Sequence, residues 1–262
     1  MDELAADRRA RLESLVAAEG FVRVADAAPR LGVSEVTVRA DLRDLAAAGR
    51  VRRVHGGAMA VRGTHREASV EASSRRDAEL KRAIGRRAAS LVDSGSSVLL
   101  DVGSTTHAVA EALVDRVDLT DVVVVTNGLG IALALEPAIP RFTVVVTGGT
   151  LRPLQHSLVD PVASQTLAGL HVDLAIIGCN GVDRDGAVTN VNLPEAEVKR
   201  GMLASAGAAV LVAEGAKFGQ RHLGRIGEIA AFRTVVTSGR GAEFLRETGA
   251  GRGVEVVAVD AG

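Results

Sequence analysis

The sequence contains neither tryptophan nor tyrosine, and only five of its 262 residues are phenylalanine. Proteins that bind single-stranded DNA or RNA commonly stack the bases on aromatic side chains. The shortage of aromatic residues therefore argues against binding of single-stranded nucleic acid or RNA. No run approaches the roughly 18 consecutive apolar residues that a membrane-spanning helix needs. The first segment, MDELAADRRA, is charged throughout and is unlike a signal peptide. We therefore expect no membrane association.

Cysteine and metal-ligand patterns are equally scarce. Cys179 is the one cysteine, which excludes an internal disulfide, and we expect a cytoplasmic protein. The six histidines show no metal-ligand spacing, and a single cysteine cannot anchor a zinc finger. Neither GxGxxG nor GxxxxGK occurs, so dinucleotide and P-loop sites are not expected. We predict no cofactor and no metal.

The composition is that of a folded chain, since 47% of the residues are hydrophobic and 24% are charged. The formal net charge of −1 hides an uneven distribution. Residues 1–66 contain 12 arginines, no lysine and 9 acidic residues, whereas the remainder contains 19 basic and 23 acidic residues. A basic N-terminal segment is a candidate surface for a polyanion. Charge alone does not distinguish such a binding surface from an ordinary helix face that is exposed to solvent.

From residue 77 onward, apolar β-branched runs alternate with helical stretches. The runs are SVLLD, DVVVVT, RFTVVVTGG, VDLAIIG, AAVLVAE, RTVVTS and VEVVAV. Such runs, apolar on both faces and separated by helices, indicate a largely parallel sheet covered on both sides. We therefore predict an α/β domain over residues 77–262, preceded by a small domain over 1–58. Residues 59–76 are polar and patternless, and we interpret them as a linker or a strap.

The N-terminal segment has the pattern of a helix-turn-helix. A short helix over Val24–Leu31 is followed by a Gly-Val turn and by Ser34, which is placed to cap a second, longer helix. In that second helix, Val38, Leu42 and Leu45 recur at helical spacing and form one apolar face. This face would be buried, which leaves the opposite side of the helix for other contacts.

That opposite side would enter the major groove of double-stranded DNA, where arginine bonds guanine bidentately. The hairpin strand RVRRV and the residues HGG follow, and would form a wing that contacts phosphates. The candidate DNA-binding residues are Ser34, Val36, Thr37, Arg39, Arg43, Arg52, Arg53 and His55. The pattern leaves open a plain helical hairpin with surface arginines, and a sensor that acts through protein partners without DNA.

The segment LGVSEVTVRADLRDLAAAGRVRRVHGGA resembles the N-terminal signature of the DeoR family of bacterial transcription regulators. That signature has a Val-Ser-Xaa-Xaa-Thr-Val-Arg helix start, an Asp-Leu, a Leu followed by a Gly, and Arg-Val-His-Gly-Gly-Ala. The matching positions are Val33, Ser34, Thr37, Val38, Arg39, Asp41, Leu42, Leu45, Gly49, Arg53, Val54, His55, Gly56, Gly57 and Ala58. The family often has Arg where this chain has Ala40, so the resemblance implies DNA binding and leaves the base preference open.

The resemblance continues, in the family's order, through the C-terminal part. The matching segments are LLDVGSTTHAVAEAL, VVTNGLGIALAL, VVVTGGTLR, SLVDPVA, DLAIIGCNGVD, EAEVKRGML and KFGQ. It implies a sensor domain with the fold of ribose-5-phosphate isomerase, which binds a phosphorylated sugar or related metabolite and changes the protein's hold on DNA. It thus implies a regulator, usually a repressor, of sugar or carbon metabolism genes. Because DNA sites are usually symmetric, we expect a homodimer or homotetramer.

The segment LLDVGSTT predicts a buried strand that continues through Asp101 into a loop of small residues and then a helix. Gly103 permits a sharp turn in this loop. Ser104, Thr105 and Thr106 offer hydroxyls beside the free N–H groups of a helix start, which attract anions. We therefore predict a phosphate site here, and a helix cap with spare hydroxyls is the alternative.

Other strand ends are expected on the same edge, because ligands of open α/β sheets bind at the carboxyl ends of strands. The further candidate effector-binding residues are Asn127, Gly149, Asn180, Gly181, Glu214 and Lys217. Lys199 faces the ligand according to the resemblance, whereas its spacing from Glu195 is that of a surface ion pair. Taken singly, each would be an ordinary loop residue, but together they describe one crevice.

The loop GCNGVD argues against catalysis. According to the resemblance, the ribose-phosphate isomerases have an Asp-Gly-Ala-Asp-Glu loop here, whose carboxylates move a proton, and many family sensors retain one Asp. This chain has Asn180, and an amide cannot act as a general base. The family's Leu-Ala-Asp-Ser-Ser-Lys is likewise VAEGAK, with Glu214 as the acid. We predict no catalytic residues, and a phosphosugar isomerase with an appended basic domain is the alternative.

Overall fold

The chain divides into two compact units, residues 1–65 and 66–262, which are described separately. The computed structural model describes residues 2–19, 21–47, 50–54, 56–60 and 69–260. Within these ranges, the side chains of residues 2–6, 17–19, 52 and 60 are not described. Among the described helices, none has both the length and the apolar character needed to cross a membrane.

The N-terminal unit combines helices with a small antiparallel sheet. Its described elements are α1 (Asp2–Glu19), β1 (Phe21–Arg23), α2 (Val24–Leu31), α3 (Glu35–Ala47), β2 (Val51–Val54) and β3 (Gly57–Ala60). The strands pair in the order β1-β3-β2. The predicted short helix and the predicted hairpin are both present, which confirms the winged helix-turn-helix architecture.

The turn between α2 and α3 follows from local chemistry. Gly32 has φ +66°, a left-handed conformation that glycine adopts without a steric penalty. The Ser34 hydroxyl accepts a hydrogen bond from the Thr37 backbone N–H at 3.2 Å, and thereby caps α3. The predicted apolar face of α3 is buried against α1, α2 and the sheet. Arg8 holds the buried carboxylate of Asp41 with two hydrogen bonds and so ties α1 to α3.

The C-terminal unit is an α/β domain. Its helices are α4 (Val70–Ser74), α5 (Ala78–Ala89), α6 (Ser104–Asp115), α7 (Leu129–Leu135), α8 (Val162–Ala168), α9 (Leu193–Ala204) and α10 (Gly239–Thr248). Its strands are β4 (Ser97–Leu100), β5 (Val122–Thr126), β6 (Phe142–Val146), β7 (Thr150–Arg152), β8 (Ser157–Val159), β9 (Val172–Gly178), β10 (Gly181–Val182), β11 (Ala187–Asn190), β12 (Ala206–Ala213), β13 (Gly224–Glu228), β14 (Thr234–Ser238) and β15 (Glu255–Val259).

Within residues 69–260, the main sheet has seven strands in the order β15-β14-β12-β9-β4-β5-β6. All of its neighbouring pairs are parallel. These are the seven apolar runs of the sequence, so the predicted largely parallel sheet is confirmed. Strands β10, β11 and β13 form a smaller antiparallel sheet, and β7 and β8 form a hairpin.

Side chains from the main sheet form a core on each of its faces. Leu99 of β4 packs in the core that includes residues of α8 and α9. Its neighbours Val98 and Leu100 point the other way, into the core that includes residues of α5, α6 and α7. This alternation is the period of two that a strand imposes, and it explains why the runs are apolar at consecutive positions.

The segment predicted as a linker over 59–76 is partly structured. Met59 pairs with Phe21 across β1 and β3, because β1 finds its antiparallel partner there. Residues 61–68 lie outside the described part of the chain. Residues 70–74 form the helix α4, whose N-cap Ser69 accepts from the backbone N–H of Ala72. A short polar helix has no apolar stripe to reveal it in the sequence, which explains the difference.

Gly85 allows α5 and α6 to pack closely, and we expect Gly85→Ala to destabilise the sensor unit. A Cβ at Gly85 would lie 2.4 Å from the carbonyl oxygen of Ala108, a backbone atom that cannot rotate away. Overpacking of this kind costs about 1–3 kcal/mol, against a helix-propensity gain of about 1 kcal/mol. We expect denaturant unfolding of the full chain, followed by circular dichroism, to show a net loss.

Gly201→Ala is the matched control, since Gly201 also lies inside a helix. Its Cβ would approach the movable Leu167 side chain at 3.2 Å. Because a leucine side chain can shift by a few tenths of an ångström and a backbone carbonyl cannot, we expect the helix-propensity gain of about 1 kcal/mol to offset this contact, so that the variant is no less stable than the wild type. Equal stability of the two variants would contradict the close packing of α5 on α6.

Candidate functional site

A cavity of about 290 Å³ opens in the C-terminal unit where β4, β9 and β12 end. Parallel strands bring their carboxyl ends to one edge, so the loops after these strands meet there. Eight of the predicted effector residues line the cavity, namely Gly103, Ser104, Thr105, Thr106, Asn180, Lys199, Glu214 and Lys217. The structure therefore brings together residues that are more than 100 positions apart in the sequence.

Four other predicted effector residues do not line this cavity. Asp101 is fully buried, and its carboxylate accepts from the Lys199 ammonium. Asn127 is also fully buried, and its Oδ1 accepts from the Val102 N–H at 3.0 Å. Gly149 and Gly181 lie against the backbone carbonyl groups of Val159 and Gln220, respectively. A side chain at either position would clash with that carbonyl, so both positions require glycine. Strand-end position alone does not distinguish a side chain that lines a cavity from one that supports its wall.

The loop at the start of α6 combines a helix start without a side-chain N-cap and three residues with hydroxyl groups. Gly103 has φ +144° and, as the N-cap, provides no side-chain oxygen for the first turn. The hydroxyl of Thr106 donates to the Gly103 carbonyl at 3.0 Å, and that of Thr105 donates to Glu214 Oε1 at 3.0 Å. These two hydroxyls are thus engaged as donors elsewhere and do not cap the helix. Ser104 is partly exposed and lines the cavity with the other residues of this first turn, whose backbone N–H groups are those that favour an anion.

A cluster of three charges stands beside this loop. Glu214 Oε1 lies 3.2 Å from the Lys81 ammonium, and Glu214 Oε2 lies 3.5 Å from that of Lys217. Burial acts to raise the pKa of Glu214, but Lys217, Lys81 and the hydrogen bond from Thr105 outweigh it and leave that pKa below its usual value. Glu214 is therefore ionised at neutral pH, and the cluster of Lys81, Lys217 and Glu214 carries one net positive charge.

Lys81 is a lining residue that the sequence analysis missed. It lies on α5, is buried, and its ammonium also donates to the carbonyl oxygens of Ser73 and Arg76. Ser73 and Arg76 line the cavity too, so the segment with α4 forms part of its wall. No spacing signal marks Lys81, because its helix precedes the strand that carries the loop.

A second group of charges lies deeper in the unit. Lys199 is buried and pairs with Asp101, whose Oδ2 also accepts from the Gly178 N–H at 3.0 Å. Burial raises the pKa of Asp101, against the opposing effects of Lys199 and of the Gly178 hydrogen bond. The alternative surface pair between Glu195 and Lys199 is not formed, because both side chains are buried and have other partners.

Glu195 is held from several sides. Its Oε1 accepts from Arg152 and from the Ser157 hydroxyl, at 2.6 Å for the latter, while its Oε2 accepts from Asn190 Nδ2 at 3.3 Å. Asn180 is held by its oxygen, since Oδ1 accepts from the Val191 N–H at 2.9 Å. A backbone N–H can only donate, so this bond fixes the amide orientation and makes Nδ2 the donor of Asn180, a residue that lines the cavity.

Two further side chains, Cys179 and His107, lie near this site. Cys179 lines the cavity, but burial raises the pKa of its thiol to about 11, so the thiol stays protonated at neutral pH. His107 lies on the partly exposed side of α6, with Nδ1 3.7 Å from Glu111 Oε1. Among the described residues, no group of three His, Cys, Asp or Glu side chains is placed to hold a metal ion.

The candidate DNA-binding residues of α3 lie on its exposed side. Ser34, Val36, Arg39 and Arg43 are exposed, and Thr37 is half-buried. Val36 is 72% exposed, and apolar side chains contact thymine methyl groups in DNA complexes. Arg39 forms an exposed pair with Glu35 at 2.5 Å.

In the wing, Arg53 is exposed. Arg52 lies in β2 opposite Met59, but its side chain is outside the described part of the structure. His55 also lies outside the described residues. The candidate arginines whose side chains are described, Arg39, Arg43 and Arg53, thus lie exposed on α3 and on β2, an arrangement that suits a groove-binding helix with a phosphate-binding wing.

Two family models match the chain. The DeoR-like helix-turn-helix domain matches residues 8–64, and the DeoR C terminal sensor domain matches residues 76–239. The second match alone covers more than half of the chain.

Individual proteins are similar over nearly the full length. The transcriptional regulator GlpR of Haloferax volcanii is 34% identical over 254 residues, which are 97% of this chain and 98% of that protein. The transcriptional repressor CsqR of Escherichia coli is 32% identical over 88% of this chain and 86% of its own.

Among solved structures, ribose 5-phosphate isomerase from Plasmodium falciparum is 17% identical, with a TM-score of 0.39, over 53% of this chain and 52% of its own.

We expect Glu214→Gln to lower the free energy of unfolding at pH 7 by about 1–3 kcal/mol, the usual range for a hydrogen bond to a buried charged group. Because the folded-state pKa is depressed, this contribution is complete above the unfolded-state pKa of a glutamate and is lost as the pH falls through the folded-state value. The difference between wild type and variant should therefore be constant from pH 7 to about 5.5 and should shrink below about 4.5.

Denaturant titrations over this pH range measure the effect, with Glu243→Gln as the control because Glu243 is exposed on α10. We expect the control to match the wild type at every pH. A Glu214→Gln variant as stable as the control at pH 7 would show that the charge cluster does not stabilise the fold.

Proposed function

Because the chain belongs to the DeoR family of transcription regulators, we propose that it is a DNA-binding repressor of sugar or carbon metabolism genes, controlled by a phosphorylated sugar or related metabolite. The observation that carries this proposal is the pairing of two features in one chain. One is a winged helix-turn-helix with exposed arginines on its second helix. The other is a cavity with a helix start and a net positive charge cluster in the second unit.

In the proposed interface, the apolar side of α3 supports the domain and its other side reads DNA. Arg39 and Arg43 are one helical turn apart and both exposed, so both can reach the same groove. Val36 would contact a thymine methyl, and Arg52, Arg53 and His55 of the wing would contact phosphates. Ser34 and Thr37 hold the helix start, where backbone N–H groups also favour a phosphate.

In the proposed effector site, the phosphate binds at the start of α6. Ser104, the first-turn N–H groups, Lys81 and Lys217 would donate to it. The remainder of the effector would contact Asn180, Asn190, Glu195 and Lys199. Asp101, Asn127, Gly149 and Gly181 would support these groups rather than contact the effector.

The proposed mechanism is binding without turnover. Asn180 supplies an amide where a proton-transferring carboxylate would be needed, and Cys179 remains a thiol. An effector that binds one arrangement of the protein more tightly shifts the population of the DNA-competent form by that difference in affinity. The protein would act in the cytoplasm as a homodimer or homotetramer, which matches the symmetry of usual operator sites. No step of this mechanism requires a cofactor.

We expect Arg39→Ala and Arg43→Ala each to weaken binding to the preferred DNA duplex by about 1–3 kcal/mol, because each removes a base-reading side chain. The duplex is one selected by the wild-type protein from random-sequence DNA. Binding is measured at several salt concentrations, since a lost phosphate contact also reduces the salt dependence. Arg246→Ala is the control, since Arg246 is exposed on α10 of the sensor unit. Wild-type affinity in both α3 variants would overturn the assignment of α3 as the recognition helix.

We expect a phosphorylated sugar, and not its unphosphorylated parent, to raise the thermal midpoint of the sensor unit. At ~100 times its dissociation constant a ligand stabilises by roughly 2.7 kcal/mol, which a melting curve detects. The same compound should change the affinity for the selected duplex. Equal shifts from the free sugar would leave the loop at α6 as a plain helix start, whereas substrate turnover in an isomerase assay would favour the enzyme alternative.

A further inference from the structure

We propose that the outer edge of β6 is an interface with a second copy of this chain, formed when β6 pairs antiparallel with β6 of that copy about a two-fold axis at Val144. The inference deepens the proposed function and rests on it for the presence of a second copy, because it gives the expected homo-oligomer a contact surface. Three features of β6 support it: its backbone, the apolar side chains around it and its lack of charge.

The first feature is the backbone of β6, the strand at one end of the main sheet. Within residues 69–260, β6 pairs with β5 and with no other strand. Just after β6, the Thr147 N–H donates to the carbonyl oxygen of Thr126 in β5 at 3.0 Å. Backbone groups alternate in direction along a strand, so Phe142, Val144 and Val146 point their N–H and carbonyl groups away from β5. This edge therefore presents a row of donors and acceptors to another strand.

The second feature is a group of exposed apolar side chains around this edge. Val145 and Val146 are each 39% exposed, and they point to opposite faces of the sheet. Val123 of β5 is exposed on the same face as Val145. Val162 of α8 is also exposed, and it lies against Gly148 at the end of β6. Contiguous apolar patches mark interaction surfaces, whereas single scattered side chains do not.

The third feature is the absence of charge along this edge. No charged residue occurs in the sequence between Arg141 and Arg152. Arg141 itself directs its guanidinium group to backbone carbonyl oxygens at the end of α6 and just after it. At the opposite end of the sheet, β15 begins with the exposed Glu255 and is followed by the exposed Asp260. Because charges protect an uncovered edge from pairing, β6 is the edge suited to pairing and β15 is not.

A second copy matches this edge because the edge is complementary to itself in the antiparallel direction. A two-fold axis at Val144 places Val144 opposite its own copy and Phe142 opposite Val146 of the second copy. All outward-pointing residues of β6 are then in hydrogen-bonded pairs, each of which exchanges two backbone hydrogen bonds. Val145 lies opposite Thr143 of the second copy, and such cross-strand contacts between β-branched side chains stabilise a sheet. A charged edge would repel its own copy, whereas this edge carries no charge to do so.

The position of this interface separates assembly from ligand binding. The cavity opens where β4, β9 and β12 end, whereas β6 lies beyond β5 at the end of the sheet. Among the described residues, those of β6 do not line that cavity. Assembly through β6 can therefore be measured without an effector and without DNA.

The test measures the mass of the full-length protein by sedimentation equilibrium. Val145→Lys places a charge in the proposed interface, and Val144→Pro removes an outward N–H without removing a bond to β5, a position at which edge strands tolerate proline. We expect each variant to have at most half the mass of the wild type at a concentration where the wild type is fully assembled. Ala258→Lys is the control, since Ala258 is exposed on β15, and it should keep the wild-type mass. Circular dichroism shows whether each variant is folded.

Disulfide formation tests the register of the pairing. With the two-fold axis at Val144, the Cα atoms of the two copies of that residue lie about 5.5 Å apart, within the span of a disulfide. We expect Val144→Cys to form a covalent dimer under mild oxidation. Val146→Cys is the control, because the two copies of Val146 lie about 13 Å apart along the strands. Wild-type protein controls for the buried native thiol of Cys179.

The outcomes separate this inference from the proposed function. A monomeric wild type overturns the inference, and so does a folded Val145→Lys variant with the wild-type mass. If Val144→Pro does not fold, Val145→Lys alone decides. A covalent dimer of Val146→Cys in place of Val144→Cys overturns the pairing about Val144. None of these results concerns binding of the selected duplex or of a phosphorylated sugar, whereas failure to bind either one refutes the proposed function and leaves the measured interface unchanged.

Discussion

The parallel direction of the main sheet is the constraint on which the site depends. Because neighbouring strands run the same way, the loops after β4, β9 and β12 leave the sheet at one edge. Those loops carry the start of α6, Asn180 and Glu214. An antiparallel neighbour would send its loop to the opposite edge and would remove one wall of the cavity. The close contact of α5 with α6 at Gly85 then places Lys81 beside the same loops.

The cost of burying charge explains how the lining residues are arranged. Lys81, Lys199, Glu195 and Glu214 are each more than 90% buried, and isolated charges at such positions would strongly destabilise the fold. Each has a partner of opposite sign and further hydrogen bonds. Glu214 has a second cation beside it, the partly exposed Lys217, and this surplus positive charge lies where the start of α6 already favours an anion. The lining therefore has one positive charge beside the start of α6 that Glu214 does not balance.

The fold was largely predictable from the sequence because its signals are local. The seven strands of the main sheet coincide with β-branched apolar runs, and α2 and α3 follow from helical spacing, a left-handed glycine and the cap at Ser34. The small sheet of β10, β11 and β13 escaped prediction because β10 has only two residues and the other two strands, AVTN and GRIGE, are not continuous apolar runs. The helix α4 escaped because its five residues are mostly polar.

The site was only partly predictable because side-chain direction is not a local signal. Lys199 illustrates this, since its spacing from Glu195 fits a surface pair as well as a buried role, and only the packing of α9 decides. Asp101 and Asn127 end neighbouring strands as expected, yet their oxygens are used by Lys199 and Val102 inside the wall. Lys81 and Asn190 line the cavity from elements whose sequences carry no motif.

Regulation adds an energetic requirement that the cavity alone does not satisfy. An effector that binds all arrangements of the protein equally tightly leaves DNA occupancy unchanged, and a shift from 1:99 to 99:1 needs a roughly 10⁴-fold difference in affinity. The lining must therefore include a part whose position differs between arrangements. The segment around α4 is a candidate for such a part, since it follows the DNA-binding unit in the chain and contributes Ser73 and Arg76 to the wall. Their carbonyl oxygens accept from Lys81, the ammonium group that would also donate to the proposed effector phosphate. Under that proposal, effector and segment would compete for one donor, which would give a physical origin for unequal affinities.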